Sequence, residues 1–572
     1  MKRARLAMIV AGLVVAAMMG TAGQSETSYY PVTDARLRDP APDDWLMYRR
    51  TYNGWGYSPL DQITTENVER LRPVWSASTG VTEGHEAPPL VNGGVMFVST
   101  PQNQVLALDA ASGEIRWRYQ RNLPTNLRQL HPTNRGVGLY GDKVYLATVD
   151  AAVVALDAVT GTVVWESTVE DHAAGYYMTM APLIANGKVM VGVSGGELGI
   201  RGFVVALDAT TGDQVWKTYT IPGPDEVGHN SWPGDSWRTG GVPVWLTGTF
   251  DPELNLTFWG TGNAGPWIGD ARPGDNLYSN SVIALNADTG TLTAHHQYHW
   301  NGSWDWDEVA APLLIDLERD GRTVKSLVHP GRNGYLWLLE RSATEINFVE
   351  AAPYVHQNVF TTLDPTTGRP EYDPEHRPTF GRRVSFCPSL WGGKNWPSSA
   401  YHPETGYLYI PANENLCSYS EGRDVEYQPG QPFVGAAAQT FVRDGAEHIG
   451  ELQAWNLSAG TKVWTHEFEY QNWGSVLTTG GGLVFSGGTN DRYFRAFNAA
   501  TGELLWQQPT NSGIIGVPTS YMVGGVQYIA VQAGWGLDAQ RMQGALNASL
   551  GLRTQVPQGG VISVFTLERE DD

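Results

Sequence analysis

Ala107-Leu108-Asp109-Ala110-Ala111-Ser112-Gly113-Glu114-Ile115-Arg116-Trp117 decides the fold, because the chain repeats it. The pattern returns at 155–165, 206–216, 284–294, 454–464 and 496–506, and only the fourth copy lacks the closing Trp, with Ala294 in its place. Each copy reads as an apolar strand, a tight Asp/Asn-x-x-x-Gly turn and a second strand. The first three copies begin 48 and 51 residues apart, and the last two 42. A period of roughly 40–50 residues built from short strands predicts an all-β propeller with one four-stranded sheet per blade. The closing Trp residues are expected to dock between blades. Chemistry on such a ring belongs to loops at the mouth of the central channel.

Outward from the repeats, Trp45–Pro59 and Leu71–Trp75 read as an N-terminal arm and a strand that completes the ring. Between the copies at 284 and 454 the pattern degrades, although strands remain legible; 407–410 in that span, and 254–259 before it, each follow a Pro-containing turn. That gap is expected to hold about three further blades, giving an eight-bladed β-propeller, with seven blades as the alternative. No long amphipathic helix and no linker-like stretch is apparent, so 24–572 reads as a single propeller domain.

Residues 1–23 read as a secretory signal peptide, with Lys2, Arg3 and Arg5 before an apolar run and Gly20-Thr21-Ala22 as cleavage site. No later stretch approaches the ~20 apolar residues of a membrane span, and no Cys follows the leader to carry a lipid. A soluble periplasmic protein is expected. A net charge of −21 argues against nucleic acid as partner. An exported chain can oxidise Cys387 and Cys417, so a disulfide is expected, two buried thiols being the alternative. Neither lies in Cys-x-x-Cys-His, so no c-type haem site is present.

Four segments outside the repeats combine glycine with charge. Ser194-Gly195-Gly196-Glu197 lets backbone amides approach a ligand beside a carboxylate; a surface turn is the commoner meaning of such a loop. Gly260-Thr261-Gly262-Asn263 could offer an amide oxygen to a hard cation, or be an ordinary Asn turn. In Trp304-Asp305-Trp306-Asp307 the two acids share a side if the chain is extended, and like charges so close need water or a cation. His329-Pro330-Gly331-Arg332 presents an Arg that could equally be a surface ion pair. Together Glu197, Asn263, Asp305 and Asp307 suit calcium or a larger trivalent ion rather than zinc. No zinc spacing and no phosphate loop occur, and the Gly-x-Gly strings open no helix.

These segments resemble the pyrroloquinoline quinone (PQQ)-dependent alcohol dehydrogenases, the quinoprotein family of methanol dehydrogenase, over nearly the whole mature chain. Gly84-His85-Glu86, Asn134-Arg135-Gly136, Ser194 to Gly199, Gly234-Asp235-Ser236-Trp237, Thr261-Gly262-Asn263, Trp304-Asp305, Arg332-Asn333-Gly334 and Lys394-Asn395-Trp396 occur in family order. The resemblance implies that Glu197 and Asn263 coordinate the metal beside PQQ, that Asp305 is the general base, and that Arg332 bonds the reactive quinone oxygen. It implies Trp237 as the floor under the cofactor. Glu86, Arg135, Thr179, Ser194, Gly195, Gly196, Asn395 and Trp473 would hold the cofactor's polar groups, and Cys387–Cys417 would be a structural disulfide.

Two departures stand out. The family covers PQQ with a ring of adjacent disulfide-linked cysteines, and the corresponding residues here are Gln129 and Leu130, which puts the usual small-alcohol preference in doubt. Asp307 adds a carboxylate absent from calcium-type members, resembling the lanthanide-dependent branch; a turned-out acid beside Ca²⁺ is the other reading. The expected activity is oxidation of an alcohol, with an external cytochrome c as electron acceptor. A bulky secondary alcohol (a polyol, polyvinyl alcohol or a trichothecene-like toxin) is an alternative substrate. A cofactor-free propeller scaffold of the outer-membrane assembly type is the non-enzymatic alternative, and such proteins lack the acid, Asn and Arg set. Oligomeric state stays open, a homodimer included.

Overall fold

The computed structural model describes residues 29–319 and 321–568, so the leader read at 1–23 lies outside it. Eight antiparallel sheets of four strands form the blades of a propeller, and one of them carries a fifth strand. The first blade shows the plan: Leu90–Asn92, Val95–Thr100, Gln104–Asp109 and Ile115–Gln120. Its first two strands are buried throughout, whereas Ile115–Gln120 alternates between exposed and half-buried residues. Apolar β-branched runs therefore supply the inner strands, and period-2 alternation marks the outer edge. The later blades span 138–168, 183–219, 249–297, 313–353, 400–468, 477–509 and 519–567.

Ring closure falls to the N-terminal arm, as expected. Leu71–Ser78 pairs antiparallel with Val561–Leu567 as the outer strand of the eighth blade, and Tyr57–Ser58 adds in parallel to Leu477–Thr479 of the seventh. The repeat Trp residues tie blade to blade. Trp75, Trp117, Trp165, Trp216, Trp464 and Trp506 each donate their indole N–H to a carbonyl of the following blade, from Ala110, Ala158, Ala209, Ala287, Ala499 and Leu71 respectively. A turn glycine seats the rings of Trp75, Trp117, Trp165, Trp216 and Trp464. At Gly161, with φ of 72°, an added Cβ would stand 2.6 Å from the Trp117 ring.

Two expectations need correction. The span between the repeats at 284 and 454 holds one complete blade and the first half of the next, not three blades. The remaining chain forms two small sheets, Phe360–Leu363 with Pro370–Tyr372, and Val384–Phe386 with Leu416–Gly422 and Ala436–Val442. Strand-like patterning there belongs to inserted hairpins that a count of strands cannot tell from blades. Cys387 and Cys417 are joined in a disulfide at the second of these sheets. Second, a 14-residue helix, Leu537–Leu550, interrupts the eighth blade. Its buried Ala539, Met542 and Leu546 recur at helical spacing, and Gly551 ends it at φ 68°. An apolar stripe of three residues is narrow enough to pass for loop. Among the described residues no helix is long and apolar enough to cross a membrane.

Topology fixes where chemistry can gather. In a four-stranded meander, the segment entering the first strand and the turn between the second and third strands lie at one end. The repeat turns lie at the other. Arg135, Thr179, Asp305, Asp307 and Trp473 precede first strands, while Glu197, Asn263, Arg332 and the helix Leu537–Leu550 occupy second-to-third connections. All of them therefore share one face of the ring.

Candidate active site

On that face a cavity of 290 Å³ is lined by Arg135, Thr179, Ser194, Gly195, Glu197, Asp305, Asp307 and Arg332, close to the ~300–1,000 Å³ usual for small-molecule sites. Residues as far apart in sequence as Arg135 and Arg332 thus meet as the motifs predicted. The two acids meet although the chain is not extended there, Asp305 having a positive φ. Trp304 and Trp306 stack on each other at 5.1 Å and donate to His376 O and Ser389 O, while Asp305 and Asp307 both line the cavity.

Each acid is fixed by a different contact. Asp307 Oδ1 accepts the Asn263 backbone N–H at 2.7 Å, and its Oδ2 accepts the Trp245 indole at 3.2 Å. Gly262 is required beside it, since an added Cβ would stand 2.4 Å from Asp307 Oδ1. Asp305 sits at φ 63°, a region that L-residues enter at a cost, and Arg332 Nη1 donates to its carbonyl at 2.8 Å. The Arg332 loop is itself clamped, because buried Glu308 accepts the Arg332 N–H at 3.0 Å, the Asn333 N–H at 3.2 Å and a bond from His329 Nε2 at 2.7 Å. Burial, and then the charge of Asp307, push the carboxyls of Glu197 and Asp305 above their ordinary range; burial pushes Asp307 itself up against the pull of Arg332. Three desolvated acids facing one space are stable as anions only with a cation among them.

A second arm binds through Arg135. It forms an ion pair with buried Glu86 at 2.8 Å, donates to Thr179 Oγ1 at 2.6 Å, and Thr179 Oγ1 lies 3.2 Å from Ser194 Oγ. Its guanidinium stands 4.8 Å from the Trp245 ring centroid. Trp237, expected as the aromatic floor, does not line the cavity, whereas Trp245 does. Trp237 packs with Ile221, Trp232, Val242 and Ala264 away from the cavity, between the guanidinium groups of Arg201 and Arg238. A positional signal marks Trp245: it lies four residues before its blade, as Thr179 and Trp473 do, whereas Trp237 lies twelve before. Gly196 shares the short helical turn with Glu197. Asn395 borders a small void with Asp307 and Arg332, and Trp473 stands behind the wall, edge-on to Trp391 at 6.0 Å. His131, Asp538 and Arg541 also line the cavity and carried no sequence motif.

The residues fit a metal and a polyanionic planar cofactor. Buried Asn263 Oδ1 has no hydrogen-bond partner, leaving a hard oxygen donor unused beside Asp307. Among the described residues, no three His, Cys, Asp or Glu side chains close on one point by themselves. A metal here would need the Asn263 amide oxygen and donors from a bound molecule in addition to the acids.

The family profile described as "PQQ: Glucose/ethanol/alcohol dehydrogenase, beta-propeller domain" matches residues 45–360 and 446–529. The chain belongs to this family of PQQ-dependent alcohol dehydrogenases. It is 37% identical to the quinoprotein alcohol dehydrogenase PedH of Pseudomonas putida, covering 93% of each chain. It is 36% identical to the lanthanide-dependent methanol dehydrogenase of Methylacidiphilum fumariolicum, over 92% of this chain and 93% of that one. The solved structure of a europium-containing methanol dehydrogenase superposes with a TM-score of 0.89 at 35% identity, covering 93% of this chain and all of the other.

Proposed function

We propose that this chain oxidises an alcohol with Asp305 as general base, Arg332 as the cationic donor beside the reacting oxygen, and a metal held by Glu197, Asn263, Asp305 and Asp307. When bound, PQQ supplies the two-electron acceptor and the metal the Lewis acidity. Asp305 takes the hydroxyl proton. Its raised affinity for protons suits that role, and the Arg332 bond to its carbonyl holds it in place. Arg135, Thr179, Ser194 and Gly195 fit the carboxylates of the cofactor, Glu86 backs Arg135 through their ion pair, and Trp245 fits its planar face.

The observation that carries this reading is the buried, unpartnered Asn263 Oδ1, on the residue whose backbone N–H binds Asp307, at a cavity lined by Glu197, Asp305, Asp307 and Arg332. A trivalent lanthanide is the preferred ion. Arg332 and a divalent ion would balance the three carboxylates alone, so the further negative charge of a polyanionic cofactor is what favours a trivalent ion, and two relatives are lanthanide or europium enzymes by name. Above the acids, Leu130, Trp267, Leu390, Trp391 and Val434 form an apolar wall, which favours an alcohol with a hydrocarbon body over a sugar. The leader at 1–23 and the Cys387–Cys417 disulfide support a periplasmic location, with an external cytochrome c as acceptor. The test is dye-linked oxidation by apo-protein reconstituted with PQQ and either La³⁺ or Ca²⁺. Activity that requires PQQ and is higher with La³⁺ is expected; turnover without PQQ would reject the reading.

A further inference from the structure

The helix Leu537–Leu550 closes one side of the cavity mouth with Asp538 and Arg541. Arg541 Nη2 donates to the Leu130 carbonyl at 3.0 Å, across a separation of 411 residues in the chain. Its Nη1 donates to Asp538 Oδ1 at 3.0 Å and lies 3.1 Å from His131 Nε2. Asp538 Oδ1 lies 3.4 Å from the same imidazole nitrogen, and His131 Nδ1 meets Tyr177 Oη at 3.2 Å. Leu130, His131, Tyr177 and both helix residues line the space that holds Glu197 and Asp305. The Arg541 side chain is 50% exposed and that of Asp538 only 13%, so the cluster runs from the rim inward.

We propose that Arg541, backed by Asp538 and His131, is a latch that holds the Leu130 segment against the helix and thereby sets the size of alcohol admitted. The proposal rests on the reading that substrate enters this cavity. An exposed ion pair contributes little stability by itself, about 0–1 kcal/mol. The Arg541 bond to Leu130 O does something different, since it fixes a backbone carbonyl that no covalent link holds to the helix. Leu390 and Trp391 pack into the fold, Trp391 on the same core as the buried helix face of Ala539, Met542 and Leu546. The Leu130 segment, held to the anchored helix through Arg541, is therefore the side free to yield. Arg541 and Asp538 act here as positioning residues; neither is assigned a proton or an electron.

Arg541→Ala removes all three guanidinium contacts at a rim position, where the fold survives truncation, and Arg541→Lys keeps the charge without the fork. The measurement is kcat/KM over a series from ethanol to branched secondary alcohols, together with the rate at which PQQ leaves the holoenzyme on dilution, followed by absorbance. In Arg541→Ala the ratio of bulky to small alcohol is expected to rise roughly tenfold, the scale of a methylene or two of added room. PQQ release is expected to quicken, and Arg541→Lys should fall between. The same ratio across the whole series in wild type and Arg541→Ala, whatever the absolute rates, overturns the latch. Absence of any alcohol oxidation by the wild type would instead sink the dehydrogenase reading; the release rate then decides, and an unchanged rate in Arg541→Ala overturns the latch.

Discussion

Asp307 accepts the backbone N–H of Asn263 at 2.7 Å while the Asn263 side-chain oxygen stays unpartnered. The carboxylate holds the Asn263 backbone, and the side-chain amide donates to Ala264 O at 3.2 Å, which leaves its oxygen free. Asp307 lines the cavity and is not a turned-out acid. Truncating it removes both a charge and the support of its neighbour. Asp307→Ala is expected to lower lanthanide affinity by roughly 10–100-fold, and to harm La³⁺-supported activity more than Ca²⁺-supported activity. Reconstitution titrations with each ion check this, and equal losses would remove the trivalent-ion assignment.

Asp305→Asn keeps the shape of the side chain and removes its basicity. Turnover should fall by ~10²–10⁴-fold, while PQQ binding persists, because the Arg135, Thr179 and Ser194 arm is untouched. Single-turnover absorbance with bound PQQ separates the two quantities. Normal turnover in this variant would strip Asp305 of the role.

Much of this architecture was legible in the sequence, for identifiable reasons. A turn with fixed Asp, Gly and Trp recurs because each Trp must reach one carbonyl of the next blade, as Trp117 reaches Ala158. The paired acids of Trp304-Asp305-Trp306-Asp307 were legible as a motif, although the chain turns at Asp305 with φ 63° and is not the strand expected there. Trp245 carries no motif, and its place four residues before Thr249 becomes a signal only once the start of that strand is fixed. The Arg541 contact to Leu130 spans most of the chain, and no local pattern encodes it.

Glu86 gives the apo-protein a pH signature. Burial raises its carboxyl to about 7 against the opposing pull of Arg135, so the folded state holds that proton more tightly than the unfolded chain does. The stability it contributes is complete below the ordinary carboxylate value and is lost as pH rises toward about 7. Urea midpoints of apo-protein from pH 5 to 8 should therefore fall more steeply for wild type than for Glu86→Gln. Parallel curves would contradict the assignment.

Closure of the ring can be tested at Trp506, whose indole donates to Leu71 O at 3.0 Å on the strand that completes the eighth blade. Trp506→Ala should cost about 3–5 kcal/mol, the usual result of deleting a buried aromatic side chain. Trp117→Ala, at an interior blade junction, should cost a similar amount. Chemical denaturation measures both, and a loss under 1 kcal/mol at Trp506 would mean that strand pairing alone closes the ring.

The net charge of −21 bears on the electron acceptor. A surface so acidic attracts a basic cytochrome c over distances set by the Debye length, ~10 Å at 0.1 M salt. Steering of this kind acts on the encounter rate and leaves alcohol oxidation itself alone. Turnover with a basic cytochrome should therefore fall as salt rises from about 0.01 to 0.3 M, the range over which that screening length shortens most. Turnover with a small neutral dye under the same conditions should stay level. A cytochrome rate indifferent to salt, beside an equally indifferent dye rate, would show that the acidic surface has no part in docking the acceptor. A parallel decline in both would place the salt effect on the site around Asp305 and Arg332 instead.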